Sequence, residues 1–256
     1  MLNSGRVESR IERDVRKTDG GDEELKKKAH APIRTTAALK PRSLDPTAVK
    51  RREMVERLRK AGITDGRVLE AMGSAPRHIF VDFILADRAY EDNSAPIGSR
   101  QTISRPGTVA LMTQLAGLKG DETVLEIGTG SGYQAAVLGL LCQRVITVER
   151  INSLSNKARK IFNELHLDNI VCLVGDGSVG APKYAPFDVI MVTAVAPALP
   201  KPLAEQLKEG GRLVVPVGVG SSQKLVLARK SRGRLVVEEK DACNFVPLIG
   251  EMGFSL

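Results

Sequence analysis

The sequence predicts an α/β fold: a doubly wound, mostly parallel sheet with antiparallel edge strands and a small N-terminal helical part. Three observations predict it. Between residues 123 and 217, short apolar runs of strand length alternate with helix-patterned segments, as when crossover helices join parallel strands. The first of those runs, in residues 123–132 (TVLEIGTGSG), feeds straight into Gly128, Gly130 and Gly132 and then into an apolar helical stretch. Strand, glycine turn and helix together bring backbone N–H groups to the carboxyl edge of a parallel sheet. After residue 219 the period changes to two: 224–229 and 234–238 alternate around Ser231-Arg232-Gly233, which reads as an antiparallel hairpin at one edge.

Residues 1–49 mix Lys, Arg, Asp, Glu, Thr and Pro with almost no apolar periodicity, and are read as a disordered basic extension. From residue 50 the pattern turns helical. Met54, Val55 and Leu58, then Ile63, Val68, Leu69 and Met72, mark two short helices broken at Gly62, with Thr64-Asp65 as the cap of the second. Residues 98–106 (GSRQTISRP) form a polar loop carrying Thr102 and Ser104, and a helix over 107–118 opens beside a proline. The part from 50 to 118 thus holds helices and a hydroxyl-bearing loop, 119–218 the α/β core, and 219–256 the edge strands.

Within the core the second strand is 144–148 (RVITV), ending at Glu149, and a basic helix covers 154–165. A third strand, 169–174, runs into Gly175-Asp176-Gly177. A fourth spans 187–194, a proline-opened helix 197–207 is stopped by Gly210-Gly211, and a fifth strand covers 212–217. Residues 243–248 read as a last strand.

Composition narrows the function classes. With 42% hydrophobic residues the chain can bury a core, while 4% aromatics and no Trp argue against stacking on single-stranded nucleic acid. The formal charge of +8 is concentrated before and around Arg52, as expected of a solvated tail. The three cysteines, Cys142, Cys172 and Cys243, contain no C-x-x-C and read as free thiols of a reducing compartment. No 18-residue apolar run and no ordinary leader pattern occurs, so a cytoplasmic protein without a membrane partner is expected. His78 sits among aromatic and aliphatic neighbours and reads as structural. No His–Asp pair is spaced to activate Ser104 as a nucleophile, and no metal site is expected.

An acidic residue about 20 residues after the first glycine suits a bidentate grip on ribose hydroxyls, and Glu149 stands there. The turn therefore announces a nucleoside-containing cofactor. A dinucleotide fingerprint would need glycine where Tyr133 stands, and no G-x-x-x-x-G-K-[ST] loop occurs. Glu126 followed by G-x-G-x-G instead resembles motif I of the S-adenosylmethionine-dependent methyltransferases. Further pieces narrow the likeness: PIG-x-x-QTIS-x-P at 96–106, VE at 148–149, GDG at 175–177, APFD at 185–188, VTA at 192–194, GGRLVVPVG at 210–218 and FVPL at 245–248. Together, from about residue 50 to the C-terminus, they resemble the protein-L-isoaspartate O-methyltransferases.

The resemblance implies a Rossmann-like methyltransferase sheet and methylation of the free carboxylate of L-isoaspartyl residues in damaged proteins, which starts repair through a succinimide. It implies S-adenosylmethionine as donor, S-adenosylhomocysteine as product, and a monomer. Thr102 and Ser104 would orient the substrate carboxylate, with Ser104 at the position taken as the active-site residue. Gln101 and Ile103 would face the reaction centre beside the cofactor. Gly128, Gly130 and Gly132 would bound its amino-acid end, Glu149 its ribose, and Gly175, Asp176 and Gly177 its adenine. Glu126 and Tyr133 fit either a contact or a structural role. Arg105, where many relatives have Gln or Ala, and Asn244, where Arg or Tyr is common, bear on peptide binding and not on the methyl donor. Two alternatives compete with this reading. A nucleic-acid or small-molecule methyltransferase fits the charge, but residues 192–197 read VTAVAP where amino-methylating enzymes carry N/D-P-P-Y/F, and no Pro-Cys occurs. A cofactor-binding module without catalysis has only Arg105 and the basic arm in its favour.

Overall fold

The computed structural model describes residues 46–255. Most of the expected extension, residues 1–45, lies outside the described residues. The first helix, α1 (Ala48–Lys60), begins just ahead of the expected boundary and buries Met54 and Leu58. Helix α2 (Gly66–Ser74) is capped as its sequence requires: the Asp65 carboxylate accepts from the N–H groups of Arg67 at 2.9 Å and Val68 at 3.4 Å.

The polar loop is partly a hairpin. Strand β1 (Ala95–Gly98) pairs antiparallel with β2 (Gln101–Ile103) across Ser99 and Arg100, whose φ values are 51° and 57°. Two central residues with positive φ make the tight turn that matches strand twist. Helix α3 (Pro106–Ala116) starts on a proline and ends on Gly117 in the left-handed conformation.

Seven strands form the main sheet: β3 (Thr123–Ile127), β4 (Arg144–Glu149), β5 (Ile170–Val174), β6 (Phe187–Val192), β7 (Leu207–Val219), β8 (Ser222–Ser231) and β9 (Arg234–Ala242). Helices α4 (Tyr133–Gly139), α5 (Asn152–Glu164) and α6 (Lys201–Glu205) connect them. The order is β5-β4-β3-β6-β7-β8-β9, parallel from β5 through β7 and antiparallel beyond. Alternation along each strand sorts its side chains into two cores. Val124, Val145, Val189 and Met191 pack with the residues of α1 to α5, whereas Leu125, Ile127, Ile190 and Val192 pack with Leu203 of α6. Fully burying one such side chain is worth about 1.5–3 kcal/mol.

Two elements differ from expectation. The helix expected over 197–207 is confined to Lys201–Glu205, and β7 begins at Leu207. Gly210-Gly211 is not a helix stop but part of an irregularity inside β7, where the register with β6 shifts between Phe187 and Val189. A Cβ on Gly211 would lie 2.8 Å from the Lys208 carbonyl oxygen, so the backbone crowds there. Residues 243–248 form no strand. Pro247 cannot donate to a ladder, and only a bridge between Val195 and Pro247 is made, while the Gln223 side chain takes the Phe245 N–H at 2.7 Å and donates to its carbonyl at 3.2 Å.

The chain reverses its direction of growth at β3: β4 and β5 lie on one side, β6 and β7 on the other. The crevice at the carboxyl ends of β3, β4 and β6 is where an open α/β sheet receives a ligand.

Candidate active site

A cleft opens at that switch point, lined by the glycine turn after β3, the end of β4, residues 101–104, and residues 246–249 of the C-terminal segment. The turn is built from positive φ angles, 96° at Gly128 and 53° at Gly130. A Cβ on Gly128 would sit 2.6 Å from Thr193 Oγ1, which itself donates to the Gly128 carbonyl at 2.7 Å and the Ile127 carbonyl at 3.0 Å. Thr193, just past β6, thus fastens the turn from the neighbouring strand. Its motif, VTA, was legible in the sequence, but its role as a staple depends on β3 and β6 being adjacent.

Glu149 ends β4 with 6% of its surface exposed. One carboxylate oxygen accepts the Gly130 N–H at 2.9 Å and the other the Ile151 N–H at 2.9 Å. A carboxylate has about four acceptor positions, so acceptor capacity remains for a pair of vicinal hydroxyls. The bare turn, the oriented carboxylate and the apolar wall from Ile127, Met112 and Leu248 fit a ligand that joins a nucleoside to an amino-acid chain.

Of the sequence-predicted residues, Gln101, Thr102, Ile103, Ser104, Gly128, Gly130, Glu149 and Gly177 line this one cleft. Ile103 is buried, Ser104 half-buried and Thr102 exposed, which leaves two hydroxyls at an opening that faces the glycine turn.

Four predicted cofactor contacts lie outside the lining. Glu126 is fully buried on the face of β3 opposite to Ile127. Its Oε2 accepts from Thr147 at 2.5 Å, Thr147 and Thr129 share a bond of 2.6 Å, and Oε1 has no partner among the described residues. Burial pushes its carboxyl up to about 8, against the Thr147 bond and with help from the Glu149 charge. Glu126 therefore supports the turn from beneath as a neutral acid. Gly132 is needed for packing: its φ is 91°, and a Cβ would lie 2.8 Å from the Phe162 ring and 3.0 Å from Ala158. Gly175 is exposed, with nothing within 4 Å of an added Cβ. Asp176 has its oxygens engaged by the N–H groups of Ser178 and Glu251, each at 2.8 Å. Burial pushes this carboxyl up, but the bonds from Glu251 and Ser178 and the nearby Arg150 outweigh it and hold the group below the ordinary aspartate value.

Three other polar side chains are engaged within the fold. His78 Nδ1 contacts the Tyr90 hydroxyl at 2.8 Å, away from the cleft. Asp188 accepts the Thr123 N–H and the Lys208 ammonium, both at 2.8 Å or less. Gln206 binds the Val179 and Pro202 carbonyls and the Ala181 N–H. Residues 246–249 were missed as a cleft wall. The FVPL motif at 245–248 that overlaps them was visible, but only the pairing with Val195 brings them there.

Comparison with known proteins agrees with this geometry. Residues 49–253 match the family model for protein-L-isoaspartate(D-aspartate) O-methyltransferase. A protein-L-isoaspartate O-methyltransferase of Trichlorobacter lovleyi is 52% identical over 210 residues, covering 81% of this chain and 97% of its own length. The corresponding protein of Syntrophus aciditrophicus is 51% identical over 216 residues, covering 83% and 99%. A solved protein-L-isoaspartate O-methyltransferase superposes with a TM-score of 0.72 at 32% identity, over 79% of this chain and 67% of that one. A Plasmodium falciparum structure in complex with S-adenosyl-L-homocysteine shares the fold, with a TM-score of 0.69 at 24% identity over 78% and 98%. A family model spanning nearly all described residues and half-identical relatives matched almost end to end place the chain in the protein-L-isoaspartate O-methyltransferase family.

Proposed function

We propose that this chain transfers a methyl group from S-adenosylmethionine to the free α-carboxylate of L-isoaspartyl residues in damaged proteins and peptides, the step that starts their return through succinimide to L-aspartyl. The observation that carries the reading is one cleft with two hydroxyls, Thr102 and Ser104, at the mouth and a bare glycine turn with a buried carboxylate, Glu149, at the base. When bound, S-adenosylmethionine supplies an electrophilic methyl on a positively charged sulfur. The acceptor carboxylate is already ionised at neutral pH, so no general base is required of the protein, in keeping with a lining that has no His or Lys.

The chain's own groups align and exclude water. Gly128 and Gly130 let the ligand's amino-acid end approach the backbone. Glu149 accepts from the ribose hydroxyls with the lone pairs that Gly130 and Ile151 leave open. Ser104 and Thr102 donate to the substrate carboxylate and hold one oxygen in line. Alignment of this kind is worth several powers of ten in rate, and the apolar wall of Ile127, Met112 and Leu248 favours a step in which opposite charges disappear. The reading includes a cytoplasmic monomer; the free thiols of Cys142, Cys172 and Cys243 are in keeping with a reducing compartment.

Two peptides that differ only in isoaspartyl or aspartyl linkage, incubated with labelled donor, test the activity. Label is expected in the first and not the second; equal labelling sinks the substrate assignment. Ser104→Ala is expected to lower kcat by about ten- to a thousandfold, as on removal of one positioned donor, with the affinity for S-adenosylhomocysteine unchanged.

A further inference from the structure

We infer that Arg77 is a positioning residue for methyl transfer, acting through Ser104; the inference rests on the reading of Ser104 given above. Arg77 stands in the short 3-10 turn Arg77–Phe80 and is 1% exposed. A guanidinium there is costly, because charge taken from water must be repaid by well-made contacts. The contacts it makes are specific. Its Nε donates to the Ala89 carbonyl at 2.7 Å and its Nη2 to the Ser104 carbonyl at 2.7 Å, with Asn93 O farther off at 3.5 Å. Its guanidinium carbon lies 4.7 Å from the centroid of the Tyr133 ring. All three acceptors are backbone carbonyls, so the fork measures where chain segments run and not which side chains they carry.

Those partners connect the two halves of the site. Ser104 ends the hydroxyl loop, and Tyr133 opens α4 directly after the glycine turn; both line the cleft. One planar, permanently charged group thus holds the carbonyl of Ser104 while resting on the aromatic face fixed to the cofactor turn. A carbonyl clamped at 2.7 Å restrains the Ser104 backbone and so fixes where the Cβ that carries its hydroxyl stands. Burial lowers the pKa of Arg77, while Tyr133, Asp92 and Tyr90 act to raise it. Arginine is suited to this place because its fork is rigid, and lysine offers only a flexible point charge. An apolar side chain here would leave the Ala89 and Ser104 carbonyls without their donor, so Arg77 serves stability as well, and the kinetic and urea readouts below separate the two roles.

The test compares Arg77→Lys, Arg77→Met, Ser104→Ala and the Arg77→Lys/Ser104→Ala pair, in the full chain. Readouts are kcat and KM for an isoaspartyl peptide, calorimetric affinity for S-adenosylhomocysteine, and the urea midpoint. Arg77→Lys is expected to fold and to lose about a hundredfold in kcat, the cost of a small misplacement at a reacting centre, with cofactor affinity within about twofold. The double variant is expected to be no slower than Ser104→Ala alone, because Arg77 has nothing left to aim. If Arg77→Met does not fold, Arg77→Lys and the double variant carry the test. Multiplying losses in the double variant, or a wild-type kcat in Arg77→Lys, overturn the inference while leaving Ser104 in place. A wild-type kcat in Ser104→Ala overturns the reading of Ser104 itself and removes the route assigned to Arg77.

Discussion

Two glutamates a strand apart have opposite tasks, and their surroundings assign them. Glu149 accepts two N–H bonds at the cleft, whereas Glu126 lies beneath the turn with one oxygen unpaired among the described residues. Glu149→Gln keeps the shape but replaces one acceptor with a donor facing an N–H group. Affinity for S-adenosylhomocysteine should fall by about ten- to a hundredfold, as for loss of one hydrogen bond to a charged group; an unchanged calorimetric Kd in a folded variant removes Glu149 from the ribose. For Glu126 the sign follows from its raised pKa. The folded protein keeps this proton up to about 8, while the unfolded chain releases it near the ordinary value, so the folded state binds more protons in between. That contribution to stability is fully present below the unfolded pKa and is lost as pH rises through about 8. Glu126→Gln cannot titrate, so its stability relative to the parent should improve from pH 5 to pH 8.5. Thermal midpoints that move in parallel over that range would falsify the neutral-acid reading.

At the level of elements, the glycine turn separates residues needed by the ligand from those needed by the fold. Gly132→Ala adds a Cβ at φ 91° and 2.8 Å from the Phe162 ring of α5. It should destabilise by about 1–3 kcal/mol from the backbone alone, with smaller effects on cofactor affinity than Glu149→Gln. Gly175→Ala meets nothing within 4 Å and should be silent in both. A stable Gly132 variant, or a Gly175 variant with impaired binding, sinks this division. The sequence could not supply it. Three glycines spaced alike look alike, and only the docking of α5 under the turn tells Gly132 from Gly130. Strands β3, β4 and β6 were legible because buried parallel strands are nearly continuous apolar runs. The short α6 was not, since residues 206–211 read equally as a fading helix and as an irregular strand start. The Cys243–Leu248 region alternates like a strand, yet Pro247 and the Gln223 clamp give it another path.

For the described molecule as a whole, the cofactor cleft is closed by chain that arrives last. The Val195 N–H donates to the Val246 carbonyl at 2.9 Å and the Leu248 N–H to the Val195 carbonyl at 2.8 Å, which docks the segment beyond β6. Farther on, the Glu251 N–H reaches Asp176 Oδ2 at 2.8 Å and the Met252 N–H reaches Ser178 Oγ at 3.0 Å, beyond β5. Val246 to Ile249, between those attachments, form a wall of the cleft. A wall held at both ends resists departure of a ligand beneath it, whereas a wall held at one end can swing. Asp176→Ala removes the charged one of the two far bonds and leaves that to Ser178, so dissociation of S-adenosylhomocysteine should quicken several-fold, on the order of one lost charge-assisted bond, while kcat at saturating donor stays near normal. Because the Asp176 carboxyl is held below its ordinary value, it remains charged throughout neutral pH and the off-rate of the parent should be flat from pH 6 to 9. Stopped-flow displacement reads both quantities. An unchanged off-rate in Asp176→Ala shows that the Asp176 bond does not hold the wall, and that the pairing of Val246 and Leu248 with Val195 and the Met252 bond to Ser178 suffice to keep it in place.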